Sequence, residues 1–158
     1  MSIKLARQLR RQGAHEQARD LLVRLVGDRP EDAALNFEAA CVHDYLGREA
    51  EAVPYYVRAI AGPLRPQALR SAYLGLGSTY RALGRYEDAE RTLQGGLAEF
   101  PDANELKVFL AMTLHNLGRS KEAVEALLRV LASTTGDKTL RSYGNAILFY
   151  AEDVDKAW

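Results

Sequence analysis

Four glycines recur along this chain at a nearly constant interval, and their spacing restricts the fold more than any other feature. The intervals are 34, 37 and 34 residues, and the glycines are Gly13, Gly47, Gly84 and Gly118. Each begins a similar phrase: "GAHEQARDLL", "GREAEAVPYY", "GRYEDAERTL" and "GRSKEAVEAL". Five residues after each glycine stands an alanine, at Ala18, Ala52, Ala89 and Ala123. A fixed period of this length indicates an array of repeated structural units.

Apolar residues with helical spacing flank these glycines on both sides. Before Gly84 they are Tyr73, Leu76, Gly77, Tyr80 and Leu83, and after Gly118 they are Ala123, Val124, Leu127, Leu128, Val130 and Leu131. Each unit is therefore predicted to be two helices joined at a glycine, which adopts a positive φ without a Cβ clash. The small alanine lets the two helices pack closely.

Prolines mark where the second helices should end. Pro30 and Pro101 follow their alanines by twelve residues and cannot continue a helix, because proline has no N–H and a fixed φ. The longer interval places Pro63 and Pro66 at the corresponding point, so we expect the next helix to begin near Pro66 and to be about one turn longer. Pro54 predicts a kink or a delayed start in the second helix of its unit.

The third unit resembles the tetratricopeptide repeat, a helix–turn–helix unit of 34 residues. The matching residues are Tyr73, Leu76, Gly77, Tyr80, Gly84, Tyr86, Ala89 and Pro101. The other units match less completely. The second has His43 where the family prefers a large apolar residue, so we expect a buried, hydrogen-bonded histidine there. The chain is similar to the small, free-standing tetratricopeptide proteins of bacteria.

The resemblance implies an all-α fold, a right-handed α-solenoid of four helix–turn–helix repeats followed by a C-terminal capping helix. It implies a single domain over residues 1–158, with repeats at about 1–32, 33–69, 70–103 and 104–137 and a cap at 138–158. Leu140, Tyr143, Ile147 and Phe149 would cover the outer face of the last repeat. The alternative is that residues 138–158 begin a further repeat.

Composition excludes several functional classes. Lys and Arg total 21, as do Asp and Glu, so no overall field attracts nucleic acid or an anionic membrane, although a local patch stays possible. The N-terminus lacks the apolar segment of a secretory signal, and no apolar run approaches the ~18 residues that span a bilayer. One cysteine, Cys41, excludes an internal disulfide. We therefore expect a cytoplasmic protein.

No catalytic or metal-binding motif occurs in the sequence. The histidines are widely separated, and Cys41 and His43 fall on different sides of a helix. No Ser, His and Asp set and no close pair of carboxylates is evident. We therefore predict a non-enzymatic protein with no cofactor and no metal.

The first helices of such an array line its concave face, and residues there that the core does not use are the predicted partner-binding groove. They are Ile3, Arg7 and Arg10; Phe37, Cys41 and Asp44; Leu74, Ser78 and Arg81; and Val108, Met112 and His115. An apolar row of Phe37, Leu74, Val108 and Met112 favours an apolar peptide or amphipathic helix, with Arg81 and Asp44 orienting it. The alternative is that the protein covers this row itself.

Three further expectations concern partners. The co-chaperone members of the family hold a C-terminal carboxylate with Lys, Asn and Arg, but this sequence lacks that set, so we predict no carboxylate-clamp recognition. The basic stripe of Lys4, Arg7, Arg10 and Arg11 is a second candidate, for RNA or an acidic partner. A third is a homodimer through Ile147, Leu148, Phe149, Tyr150 and Trp158.

Overall fold

The computed structural model describes residues 2–157, and all regular secondary structure in this range is α-helical. The helices are α1 (Ile3–Arg11), α2 (His15–Asp28), α3 (Ala33–Tyr45), α4 (Glu49–Ala61), α5 (Pro66–Ala82), α6 (Tyr86–Glu99), α7 (Asn104–Asn116), α8 (Ser120–Thr134), α9 (Lys138–Ser142) and α10 (Gly144–Ala151). The all-α prediction is confirmed, as are the four helix–turn–helix repeats.

The four periodic glycines end the first helix of each repeat in the same way. Their φ angles are 79° at Gly13, 69° at Gly47, 73° at Gly84 and 79° at Gly118. In each case the N–H of the next residue returns to a carbonyl five residues earlier, as from Arg48 to His43 at 2.9 Å. This is the Schellman ending. Open space surrounds each of these glycines, so backbone conformation alone requires glycine there.

Two prolines, Pro66 and Pro54, test the predicted helix boundaries, and only Pro66 begins a helix. Helix α5 begins at Pro66 and contains 17 residues, whereas α3 and α7 contain 13 each, so the prediction of an early, longer helix is confirmed. Proline is tolerated at a first helical position because its missing N–H would have no helical partner. Helix α4 begins at Glu49 and includes Pro54, so the predicted delayed start is wrong.

The chain divides into two compact units, the first ending at Arg85 and the second beginning at Tyr86. In the first, helices α1 to α3 enclose a core that includes Ala6, Ala18, Leu22, Leu35, Ala39 and Val42. The four periodic alanines are all buried, and α1 packs against α2, α3 against α4 and α7 against α8, as the prediction of close packing over a small residue requires.

Within the first unit, α3 contacts both α1 and α5, so the three first helices lie side by side. The second helices α2 and α4 each pack against the first helix that follows. At Gly75 on α5 this approach is very close, because a Cβ there would lie 2.5 Å from the phenol ring of Tyr56 on α4. Glycine at position 75 therefore makes room for a buried tyrosine.

In the second unit α7 packs against α6 and α8, and α10 packs against α8. The C-terminal cap consists of two short helices, α9 and α10, which meet at Tyr143, where the expected single helix is interrupted. Ala151 is buried and Ile147 half-buried, whereas Leu140, Tyr143 and Phe149 stay exposed. The cap therefore covers less of the last repeat than its sequence predicts. Within residues 2–157 no helix combines the length and apolar character needed to cross a bilayer.

Candidate functional site

The predicted groove residues of the first three repeats lie on α1, α3 and α5 of the first unit. We call this surface the first-helix face. It comprises Ile3, Arg7, Arg10, Phe37, Cys41, Asp44, Leu74, Ser78 and Arg81. All but Arg7 are partly buried. The predicted apolar row is thus half-covered here, and an incoming side chain would meet depressions rather than a flat patch.

One depression on the first-helix face has a volume of about 370 Å³. It is lined by Ile3, Arg7, Ala34, Phe37, Pro63, Leu64, Arg65 and Ala68. Three of these residues were predicted for the groove, while Pro63, Leu64 and Arg65 come from the α4–α5 loop. In the sequence, the longer interval between Gly47 and Gly84 indicated this loop. The additional residues of that interval form one wall of the cavity. Apolar groups therefore line this cavity beside two arginines.

A buried polar cluster lies next to this cavity, between α3, α4 and α5. The Tyr56 hydroxyl donates to Asp44 Oδ2 at 3.3 Å and lies 3.9 Å from Cys41 Sγ, and the Thr79 hydroxyl donates to Asp44 Oδ1 at 3.1 Å. The Phe37 and Tyr56 rings lie 6.5 Å apart. Tyr56 thereby joins the cavity wall to the polar cluster, a link that periodicity alone did not indicate.

These contacts alter the chemistry of two predicted groove residues. Burial raises the pKa of the Cys41 thiol to about 11, so Cys41 is a neutral thiol at neutral pH and not a nucleophile. Burial also raises the pKa of Asp44, against the opposing effect of the hydrogen bonds from Thr79 and Tyr56. Asp44 is therefore a half-buried acceptor of two hydrogen bonds from its own chain.

Two arginines of the basic stripe hold a carboxylate from their own chain. Arg7 Nε lies 2.6 Å from Glu38 Oε1 and Arg10 Nη1 lies 2.5 Å from Glu38 Oε2, and the Glu38 side chain is buried. Sequence reasoning did not assign Glu38 this role, because Glu38 belongs to a different repeat from Arg7 and Arg10 and meets them only when α1 packs on α3. A ligand carboxylate would compete with Glu38 for these two arginines.

Other arginines near the N-terminus are also paired. Arg19 contacts Asp20 and lies 2.8 Å from Glu16, and Arg29 lies 3.2 Å from Asp32. Lys4 and Arg11 are exposed on α1. Most of the basic character of this region is therefore balanced locally.

The remaining groove residues lie on α7 of the second unit. Val108 and Met112 are half-buried, and His115 is exposed with Nδ1 2.9 Å from the Ser120 hydroxyl oxygen. His43, by contrast, is buried on α3, with Nδ1 2.7 Å from the Ala39 carbonyl, and it stacks on Tyr55. The prediction of a buried, hydrogen-bonded histidine is confirmed. In residues 2–157 no group of His, Cys, Asp and Glu has an arrangement that could hold a metal ion.

The residues predicted for self-association lie on α10, apart from Trp158, which is outside the described residues. Ile147 is half-buried, and Leu148, Phe149 and Tyr150 are exposed. A second exposed surface was missed: Val124, Leu127 and Leu131 form an apolar stripe on α8, which we call the α8 stripe. Leu127 occupies the repeat position at which Leu22, Tyr56 and Leu93 are buried.

Comparison with known proteins shows where this architecture recurs. The chain is 31% identical over 112 residues to the human protein O-mannosyl-transferase TMTC1, a match that covers 71% of this chain and 12% of that protein. The structure resembles the crystal structure of MamA, with a TM-score of 0.71, 17% identity and coverage of 98% of this chain and 95% of that one. It also resembles a putative kinesin light chain of Podosopora anserina with nearly identical TPR-like repeats, with a TM-score of 0.68, 22% identity and coverage of 96% and 84%.

The sequence profiles of one family account for nearly all of the repeat region. A tetratricopeptide repeat profile matches residues 33–153, and a second profile of the same repeat matches residues 3–24. These matches coincide with the helix pairs and with the glycine endings of their first helices. The chain belongs to the tetratricopeptide repeat family.

Proposed function

We propose that this protein is a non-enzymatic adaptor that binds a partner peptide or helix on the first-helix face. Tetratricopeptide repeats are in general non-catalytic modules for binding other proteins, which supports the broad class. A rigid array also presents its binding surface already formed, so little of the ordering cost of binding falls on the protein.

The observation that carries the proposal is the cavity between α1, α3 and the α4–α5 loop. A volume of about 370 Å³ lies at the lower end of ligand pockets and fits an anchoring side chain better than a cofactor. Ile3, Phe37 and Leu64 offer apolar contact, and Arg65 is exposed at the edge. The partner is therefore a segment with a large apolar side chain and an acidic residue beside it.

The ion pairs of α1 and α2 favour a protein over a nucleic acid as that partner. Binding to a phosphate backbone depends on arginines and lysines that are available to neutralise phosphates. Here Glu38 occupies Arg7 and Arg10, and Asp20 and Glu16 occupy Arg19. The same pairing by Glu38 opposes capture of a free C-terminal carboxylate.

The proposal can be tested by selecting peptides from a random displayed library on the immobilised protein and measuring their affinities by titration calorimetry. Ala34→Arg would fill the cavity from an exposed position on α3, whereas Ala50→Arg makes the same change at an exposed position on α4. We expect peptides that share a large apolar residue, and an affinity for Ala34→Arg that is lower by about tenfold or more.

The Ala50→Arg protein should bind these peptides as the wild type does. Circular dichroism checks that both variants are folded. Selection that yields no peptide, or peptides that bind Ala34→Arg and the wild type equally, would contradict the proposal. Capture from source-cell lysate with the same three proteins then identifies the natural partner as the one lost only with Ala34→Arg.

A further inference from the structure

The α8 stripe is the most extended apolar surface along any one helix of the described chain. Val124, Leu127 and Leu131 are spaced i, i+3 and i+7, so they lie on one side of α8. The three residues are 43, 41 and 39% exposed, in that order. Large apolar side chains aligned in this way on a protein surface usually mark a contact site.

The repeat position of Leu127 is buried in each of the other three repeats. Leu22 is 0% exposed, Tyr56 3% and Leu93 0%, whereas Leu127 is 41% exposed. In those repeats the second helix packs against the next first helix, in the pairs α2–α3, α4–α5 and α6–α7. After α8 the short helices α9 and α10 follow, and α10 packs against α8 but leaves the residues of the α8 stripe 39 to 43% exposed. The Leu127 position is thus less covered in the last repeat than in the three repeats before it.

Helix α10 and the segment after it add further exposed apolar residues next to α8. Helix α10 contacts α8 and α9, and Lys121 on α8 lies 2.5 Å from Asp153 beyond α10. Nine large apolar residues from α8 onward are 36 to 61% exposed: Val124, Leu127, Leu131, Leu140, Tyr143, Leu148, Phe149, Tyr150 and Val154. At ~200 Å² for each whole side chain they expose on the order of 800 Å² in total, which is the upper limit of the apolar area that this region can contribute to an interface, where about 800 Å² for each partner is standard.

The charges of α8 leave this surface neutral. Arg119 lies 2.7 Å from Glu122, Arg129 lies 3.0 Å from Glu125, and Lys121 is held by Asp153. By helical position these charged side chains lie outside the α8 stripe. A neutral, continuous stripe is complementary to itself, whereas it offers nothing to a strongly acidic or basic partner.

We propose that two copies of this chain pair through the α8 stripe and the exposed residues of α10, related by a two-fold axis. A two-fold axis that passes through the α8 stripe places a residue near the axis beside its own counterpart. The pairing uses a different surface from the first-helix face, so either proposal can fail without the other.

Sedimentation equilibrium of the whole chain tests the pairing over roughly 0.1 to 100 µM, a range that spans weak to tight dimers. The test variant is Leu127→Glu with Leu131→Glu. Its matched control is Val23→Glu with Val57→Glu, at positions on α2 and α4 that are 41 and 45% exposed. We expect a dimer for the wild type and the control, and a dissociation constant raised by about 100-fold or more for the test variant.

Single cysteines test the symmetry and do not depend on how well the glutamate variant folds. We expect Val124→Cys, Leu127→Cys or Leu131→Cys to form a disulfide-linked dimer under mild oxidation, because one of these positions lies near the axis. Val23→Cys should stay monomeric on a non-reducing gel. A wild type that is monomeric at the highest concentration, a control as weakened as the test variant, or no cross-link from any stripe position would overturn the proposal.

Discussion

The packing of Gly75 against Tyr56 predicts opposite effects for two similar glycine substitutions. Gly75→Ala on α5 places a Cβ 2.5 Å from the Tyr56 ring, whereas Gly27→Ala on α2 places one where no atom lies within 4 Å. Alanine favours a helix over glycine by about 1 kcal/mol, which acts in the same direction at both positions. The difference between the variants therefore measures the contact with Tyr56.

The magnitude follows from how tightly Tyr56 is held. Its ring is 3% exposed, and its hydroxyl donates to Asp44, so the side chain cannot turn aside without loss of a buried hydrogen bond. Overpacking of this kind costs about 1–3 kcal/mol, and the upper part of that range applies because the ring is confined. We expect Gly75→Ala to lower the free energy of unfolding by ~1–2 kcal/mol, after the helix gain is subtracted.

Gly27→Ala should raise the free energy of unfolding by ~0.5 kcal/mol, since position 27 is near the end of α2, where propensity counts for less. Urea unfolding followed by far-ultraviolet circular dichroism measures both changes. If Gly75→Ala stabilises the protein as Gly27→Ala does, the close approach of α4 and α5 at Tyr56 is refuted. Tyr56→Phe in the Gly75→Ala background should recover part of the loss if the hydroxyl end makes the clash.

Two further predictions concern buried ionisable groups of the first unit. Burial raises the Cys41 pKa from 9.0 to about 11, so the unfolded chain loses this proton first as pH rises. The wild type should lose roughly 2 kcal/mol of stability between pH 9 and 11 relative to Cys41→Ala, and equal pH profiles in urea would contradict this. Glu38→Gln should lower the free energy of unfolding by about 1–2 kcal/mol, because it weakens two charge-assisted hydrogen bonds whose arginines, Arg7 and Arg10, are partly exposed. Glu16→Gln removes the charge of an exposed carboxylate that pairs with Arg19 and Arg48, and it should change the free energy of unfolding by less than ~0.5 kcal/mol. Equal losses for the two variants would contradict the role of burial.

Helix boundaries were the part of this structure most accessible from sequence. Gly84 and its counterparts end helices because of a conformational property of glycine itself. Pro66 starts α5 for an equally local reason, as its ring presets φ. Pro54 shows the limit of such reasoning, because it lies inside α4, a helix that packs against both α3 and α5.

The candidate site was only partly predictable. Helical spacing placed Ile3, Arg7 and Phe37 on one face, and the structure brings all three to one cavity. Helical spacing could not predict that Glu38 would form ion pairs with Arg7 and Arg10, because these contacts join residues about 30 positions apart. The prediction of the whole groove on α1, α3, α5 and α7 stays a prediction.

The sequence by itself determined the family, the helix pairs and their endings, because these depend on period and on the backbone preferences of glycine and proline. Only the tertiary structure decided which of the apolar side chains remain exposed on the surface. Leu127 and Leu93 occupy the same repeat position, yet Leu93 is buried and Leu127 is exposed. Exposure depends on which helix comes to lie against a residue. That neighbour is set by packing between distant parts of the chain, which the local pattern around either leucine does not contain.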